Sequence, residues 1–171
     1  MMIFGIDPGS NATGFAVVSR SRGRYRLHHH GVVRTRSSQP VPERLAIIHA
    51  GLAEALAQSC PDQVAIEAIF RYRSSESALR LGQARGVALL AAAQQDLQVH
   101  EYNPMTVKKT IAGHGRADKG QVARLVSVLL GLDKALPSDA SDAAAIAMTH
   151  LVQFPLQQRA RELELRTRGA G

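Results

Sequence analysis

The chain has 171 residues, enough for one domain with a full hydrophobic core. Its 45% hydrophobic and 20% charged composition is ordinary for a soluble protein, and one cysteine, Cys60, excludes an internal disulfide. The net charge of +7 points to an acidic partner, such as nucleic acid or a membrane surface. No apolar run approaches the ~18 residues of a membrane span, and the N-terminus lacks a secretion signal, so a cytoplasmic location is expected.

The first third reads as strands over Met2 to Ile6, Thr13 to Ser19 and Tyr25 to Arg34. The turns between them, Gly9 to Asn11 and Ser21 to Gly23, are so short that the three strands form an antiparallel meander. His28, His29 and His30 fall in the third strand, where consecutive side chains cannot all face one way. Pro42 then opens a helix, and Leu45, Ile48, Leu52 and Leu56 repeat at helical spacing as far as Ser59. Val64 to Ile66 is a short buried strand that leads into Glu67. A strand after a helix implies a parallel crossover back into the same sheet.

Ser74 to Gln95 reads as a long helix with Ser74 or Ser75 as its cap. Gly82 and Gly86 lie four apart on one face of it, suited either to packing within the monomer or to a subunit interface. Gln98 to Tyr102 is a strand. Helices follow over Pro104 to Ala112, Asp118 to Leu130 and Asp139 to Phe154, and Pro155 is expected to end the last. The order predicts an α/β protein with a mixed five-stranded sheet, three antiparallel strands then parallel ones, flanked by helices. This is the order of the ribonuclease-H-like fold. One nuclease domain is expected over 1–155, with a charged and partly disordered tail over 156–171.

Four acids stand out. Asp7 and Glu67 each end an apolar strand, where an ionised carboxylate is costly unless a cation accompanies it. Asp139 and Asp142 are three apart at a helix start, so they share a face. The residues after them, Ala143 to Met148, are small or apolar and pack that helix on the sheet, bringing its acidic end near the strand-end acids. Hard divalent cations prefer such oxygen ligands, and a pair of them promotes phosphodiester hydrolysis. Lys108 and Lys119 flank a Gly-His-Gly loop and are candidates for stabilising developing charge.

Gly5-Ile6-Asp7-Pro8-Gly9 followed by Thr13 to Val18 resembles the opening of the bacterial Holliday-junction resolvases of the RuvC family. Ala65-Ile66-Glu67 with Phe70, the run Ser77 to Ala88 containing Leu-Gly-Gln-Ala-Arg-Gly, Val107 to Thr110, Gly113 to Gly115, Ala117 to Lys119 and Asp139 to Ala143 continue the match in order. The resemblance spans about residues 2 to 153. It implies a homodimeric, metal-dependent endonuclease that nicks two junction strands of like polarity, leaves 5′-phosphate ends, and works with the branch-migration complex RuvA-RuvB.

The same resemblance implies catalytic and metal-binding roles for Asp7, Glu67, Asp139 and Asp142, with Mg²⁺ or Mn²⁺, two per site. Lys108 and Lys119 become catalytic or DNA-contacting lysines. Phe70 becomes an aromatic wedge that stacks on an unpaired base. Arg71, Arg73, Lys109 and Arg116 are further expected DNA contacts, and Gly82, Arg85 and Gly86 an expected dimer interface. The loop departs from the family near Ser74, where an asparagine is common.

Three rivals differ in kind. A sugar-kinase or actin-like ATPase shares the Ile-Asp-x-Gly turn but needs two such lobes. A non-catalytic DNA binder gains nothing from four acids facing phosphates. A nuclease of the same fold acting on RNA or simple duplex remains open on physical grounds.

Overall fold

A computed structural model describes residues 1–68 and 75–168. Five strands, β1 (Met2–Asp7), β2 (Ala12–Ser21), β3 (Arg24–Arg34), β4 (Gln63–Glu67) and β5 (Val99–Tyr102), form one sheet in the order β3-β2-β1-β4-β5. The pairs β1–β2 and β2–β3 are antiparallel, whereas β1–β4 and β4–β5 are parallel. The mixed sheet expected from element order is therefore present. His28, His29 and His30 lie in β3 as expected; His28 bonds to Ser19 and His29 to Ser59.

The strands sort their side chains by the period of two that a pleated strand imposes. In β1, Phe4 and Ile6 face a layer made by α1 (Val41–Ser59) and α2 (Ser75–Ala93). Ile3 faces the opposite layer, made by α3 (Pro104–Ala112), α4 (Lys119–Leu130) and α5 (Ser138–Arg168). In β4, Val64 and Ile66 face the first layer and Ala65 the second. The same alternation sends Asp7, in step with Ile3, and Glu67, in step with Ala65, toward α5.

Close packing of α5 on the sheet depends on missing side chains. A Cβ at Gly5 would lie 2.1 Å from the Ala143 carbonyl oxygen, and one at Gly14 would lie 2.0 Å from that of Asp139. Both glycines lie under the first turns of α5, and Ala140, Ala143, Ala144 and Ala147 complete the contact with no exposed surface. Side chains at this interface would lift the helix by several ångströms. The acids at its start would then lose their place beside β1.

The structure corrects the expected end of α5. The helix does not stop before Pro155; it runs through that residue to Arg168. Proline removes one backbone donor and its ring crowds the carbonyl four residues back, together a cost of about 3 kcal/mol in a helix interior. Here the segment beyond is largely exposed, and it is rich in strong helix formers such as Leu156, Gln157, Gln158, Arg159 and Ala160. Residues 156–168 of the tail, expected to be partly disordered, are thus helical. The cap expected at Ser74 lies outside the described residues, and the α2 helix is described from Ser75. Among the described residues no helix is long and apolar enough to cross a membrane.

Candidate active site

Asp7 is the last residue of β1 and Glu67 the last of β4, and these strands are parallel neighbours in register from Ile3↔Gln63 to Ile6↔Ile66. The two carboxylates consequently leave the sheet side by side on its α5 face. Asp139 and Asp142 occupy the first turns of α5, directly over β1 and β2. Asp7, Glu67, Asp142, Lys108 and Lys119 line one cleft of about 340 Å³. Its remaining walls are Pro104, Val107, Val122, Ala145 and Ile146, an apolar surround that strengthens every charge interaction inside. Asp139 is not part of this wall, yet it lies close enough to act on Asp7 electrostatically.

The electrostatics are those of crowded acids. Burial, then the charges of Glu67, Asp142 and Asp139, pushes the Asp7 carboxyl up to about 8 against the opposing pull of Lys119. Glu67 is also raised, by burial and by Asp142. Lys119 donates to Asp142 Oδ2 at 2.6 Å, and this bond, followed by the charges of Asp142, Asp7 and Asp139, raises its ammonium above the ordinary lysine range. No three Asp, Glu, His or Cys side chains among the described residues already surround one point as a finished metal cage. The donor set is nevertheless all oxygen. A buried carboxyl held up to about 8 keeps its proton at neutral pH unless a cation takes the proton's place, and an all-oxygen set of this kind fits a hard divalent ion.

Two helix caps set the lysines. Asn103 caps α3 by accepting from the Thr106 amide at 2.8 Å, which fixes the turn that presents Lys108. Asp118 and Gln121 form a reciprocal capping box at the start of α4, which puts Lys119 at the first helical position beside the cleft. The sequence carries that box as Asp-Lys-Gly-Gln, a signal the motif reading passed over.

The other expected site residues scatter. Lys109 lines a neighbouring cleft with Asn103, Pro104, Met105, Thr106 and Gly115, and Arg116 is exposed. Phe70, Arg71 and Arg73 lie outside the described residues. Gly82 and Gly86 face open space: a Cβ at either would meet nothing within 4 Å. Among the described residues, nothing in the monomer packs against that stripe. Arg85 is tied inside the chain, to Glu101 at 2.6 Å and to the Glu67 carbonyl at 3.4 Å. Cys60 caps α1 in a left-handed conformation at φ 43°, a structural role.

The sequence model for crossover junction endodeoxyribonuclease RuvC matches residues 3–150. The crossover junction endodeoxyribonuclease RuvC of Citrifermentans bemidjiense is 45% identical over 150 residues, covering 88% of this chain and 92% of its own. That of Moorella thermoacetica is 43% identical over 164 residues, covering 95% and 98%. Among solved structures, Thermus thermophilus RuvC in complex with Holliday junction substrate matches with TM-score 0.87 and 42% identity, over 92% of this chain and 96% of that one. The yeast mitochondrial Holliday junction resolvase Ydc2 has the same fold at 15% identity, with TM-score 0.63 over 87% of this chain and 77% of that one.

Proposed function

This chain belongs to the RuvC family of crossover junction endodeoxyribonucleases, and from that premise we propose that Asp7, Glu67, Asp139 and Asp142 hold a pair of divalent ions, Mg²⁺ or Mn²⁺, at its junction-cleaving site. The enzyme resolves Holliday junctions by metal-dependent nicking of two DNA strands of like polarity. One observation carries the assignment of the site: three of the four acids and both candidate lysines line a single cleft.

When bound, divalent ions neutralise charge on the phosphate and ease deprotonation of the attacking water. The chain's own groups do the rest. Asp7 and Glu67, fixed at the ends of paired strands, keep two carboxylates at constant separation. Lys119 holds Asp142 through Oδ2 alone, which would leave Oδ1 for a cation, and the lysine side chain is 64% exposed and free to move. Lys119 then has a route to the phosphate oxygens, where its ammonium stabilises developing charge. Lys108 presents a second cation from the α3 wall. Val107, Val122, Ala145 and Ile146 limit water around the reacting centre.

Symmetric nicking requires two copies of the site, and the open Gly82–Gly86 face of α2 supports a homodimer built on that helix. Phe70, Arg71 and Arg73 are assigned to the junction by family likeness, as are Lys109, Arg116 and the partnership with RuvA-RuvB. The test is direct. Labelled four-way junction, duplex and RNA–DNA hybrid are incubated with Mg²⁺, Mn²⁺ or chelator. Paired nicks on the junction alone, lost with chelator and in Asp7→Asn, support the site. An Asp7→Asn variant that cuts like wild type refutes it. For the dimer, sedimentation that finds only monomer at micromolar concentration, with activity intact, overturns that part.

A further inference from the structure

Among the described residues, the most fully bonded buried charge stands outside the cleft. Arg44, on α1, is 5% exposed. Its Nη2 donates to the Ser10 carbonyl at 2.6 Å and to Asn11 Oδ1 at 2.7 Å, and its Nε donates to Thr35 Oγ1 at 3.3 Å. Among the described residues no carboxylate forms an ion pair with it. A buried guanidinium without a counter-charge is expensive, and neutral acceptors recover only part of its hydration. The crease above it, between Ser10, Val41, Leu45, Arg80 and Gln83, has room for about 10 Å³. That is at the limit for a single water, so no phosphate or ligand group reaches the guanidinium from outside.

Two of its three bonds go directly to one turn, and the third goes to a residue that itself ties that turn. Ser10 and Asn11 belong to the β1–β2 connection that starts directly after Asp7. Thr35 ties the same turn from the end of β3: its hydroxyl donates to the Ser10 carbonyl at 2.7 Å, and its amide donates to the Asn11 carbonyl at 2.9 Å. Thr13 closes the inner side by donating to the Gly9 carbonyl at 2.8 Å. The turn is therefore fastened from three elements, with the arginine as the part that spans α1, the turn and β3. Because α1 lies on the sheet face opposite the cleft, Arg44 restrains the Asp7 end of β1 from behind.

We propose that Arg44 is a positioning residue for the reaction, fixing the Pro8–Asn11 turn and thereby the aim of the Asp7 carboxylate toward its divalent ion. This rests on the reading of Asp7 as a metal ligand. Lysine at position 44 keeps the charge, but its single nitrogen cannot serve Ser10, Asn11 and Thr35 together. Asn11 is exposed, so Asn11→Ala removes one bond with no threat to folding.

The experiment compares wild type, Arg44→Lys, Asn11→Ala and the double variant. It reads single-turnover cleavage at saturating junction, junction Kd in chelator, Mn²⁺ affinity by calorimetry without DNA, and Tm. Loss of the fixing residue behind a metal ligand lowers metal affinity or rate by about 10-fold or more, and that is expected for Arg44→Lys, with a smaller loss for Asn11→Ala. Junction Kd should be unchanged, excess Mn²⁺ should partly restore the rate, and the double variant should be no worse than Arg44→Lys. Unchanged rate and Mn²⁺ affinity in both single variants overturn the proposal, as does a rate loss that follows the folded fraction alone. A wild type that binds no Mn²⁺ and does not cut overturns the metal-site reading instead.

Discussion

Lys119 Nζ lies 2.6 Å from Asp142 Oδ2, so an ion pair inside the cleft joins a proposed metal-binding acid to a candidate catalytic cation. The pair is open to solvent on the lysine side and contributes little to stability. Its consequence is for binding and rate. Lys119→Met frees Asp142 for a cation while removing a positioned positive charge from the transition state. Cleavage should fall by about 100-fold, as for loss of one oriented donor, with Tm nearly unchanged and Mn²⁺ affinity equal or tighter. Parallel loss of metal affinity and rate would show that the lysine supports the metal site rather than the chemistry.

Asp7 makes the metal-free fold sensitive to pH in an unusual direction. Its carboxyl holds a proton up to about 8 in the folded chain, against 3.8 for a free aspartate side chain. Folding therefore takes up a proton between those values, and this group's stabilisation is full below 3.8 and is lost as pH rises toward 8. The slope is at most about 1.4 kcal/mol per pH unit. Asp7→Asn removes the group, so in chelator the variant should be more stable than wild type at pH 7 to 8 and yet inactive. Because metal displaces that proton, wild-type Mn²⁺ affinity should climb with pH and level off near 8. Denaturant titrations in chelator at several pH values check the first expectation, and calorimetry checks the second. A variant less stable than wild type at pH 8 would contradict it.

Much of this site is legible in the sequence because two simple periods dominate it. The alternation of β1 and β4 places Asp7 and Glu67 on one face, and the spacing of Asp139 and Asp142 puts both at the same end of α5. The depth of α5 was harder to read. It depends on Gly5 and Gly14, whose role is visible only once the Ala143 and Asp139 carbonyls are set against them. The end of α5 differs from expectation because the backbone cost of Pro155 is local, and the strong helix formers from Leu156 to Ala160 carry the helix past it. Arg44 was not singled out, since its three partners are 9 to 34 residues away and no local pattern joins them.

The close approach of α5 predicts a sharp effect from a single methyl group. In Gly14→Ala the new carbon would meet the Asp139 carbonyl oxygen at 2.0 Å, and both are backbone-borne and cannot step aside. The helix start must shift, carrying Asp139 and Asp142 with it. Stability should fall by roughly 1–3 kcal/mol, the usual range for overpacking, while cleavage falls much further than the folded fraction does. Val128→Ala serves as the control, because that side chain is 74% exposed on α4, stands outside the cleft, and alanine favours the helix. If Gly14→Ala cuts at the wild-type rate per folded molecule, α5 does not position the acids.

His150 gives the opposite pH signature from Asp7. It is fully buried, with Nδ1 2.9 Å from the Tyr102 hydroxyl and Nε2 2.8 Å from Gln63 Oε1. A neutral ring satisfies both neighbours, accepting from the tyrosine and donating to the glutamine. Burial, then the nearby His100, pulls its pKa down to about 4. The unfolded chain binds this proton near 6.5, so the stabilisation is complete above 6.5 and is lost as pH falls toward 4. The loss is up to about 3 kcal/mol at full effect. The Asp7 contribution runs the other way over part of that range, so the useful measurement is a difference. In the Asp7→Asn background, denaturation midpoints should drop steadily from pH 7 to pH 4.5, and adding His150→Gln should flatten the drop at the cost of a lower midpoint at pH 7. An equal drop with and without His150 would assign the acid sensitivity to another group.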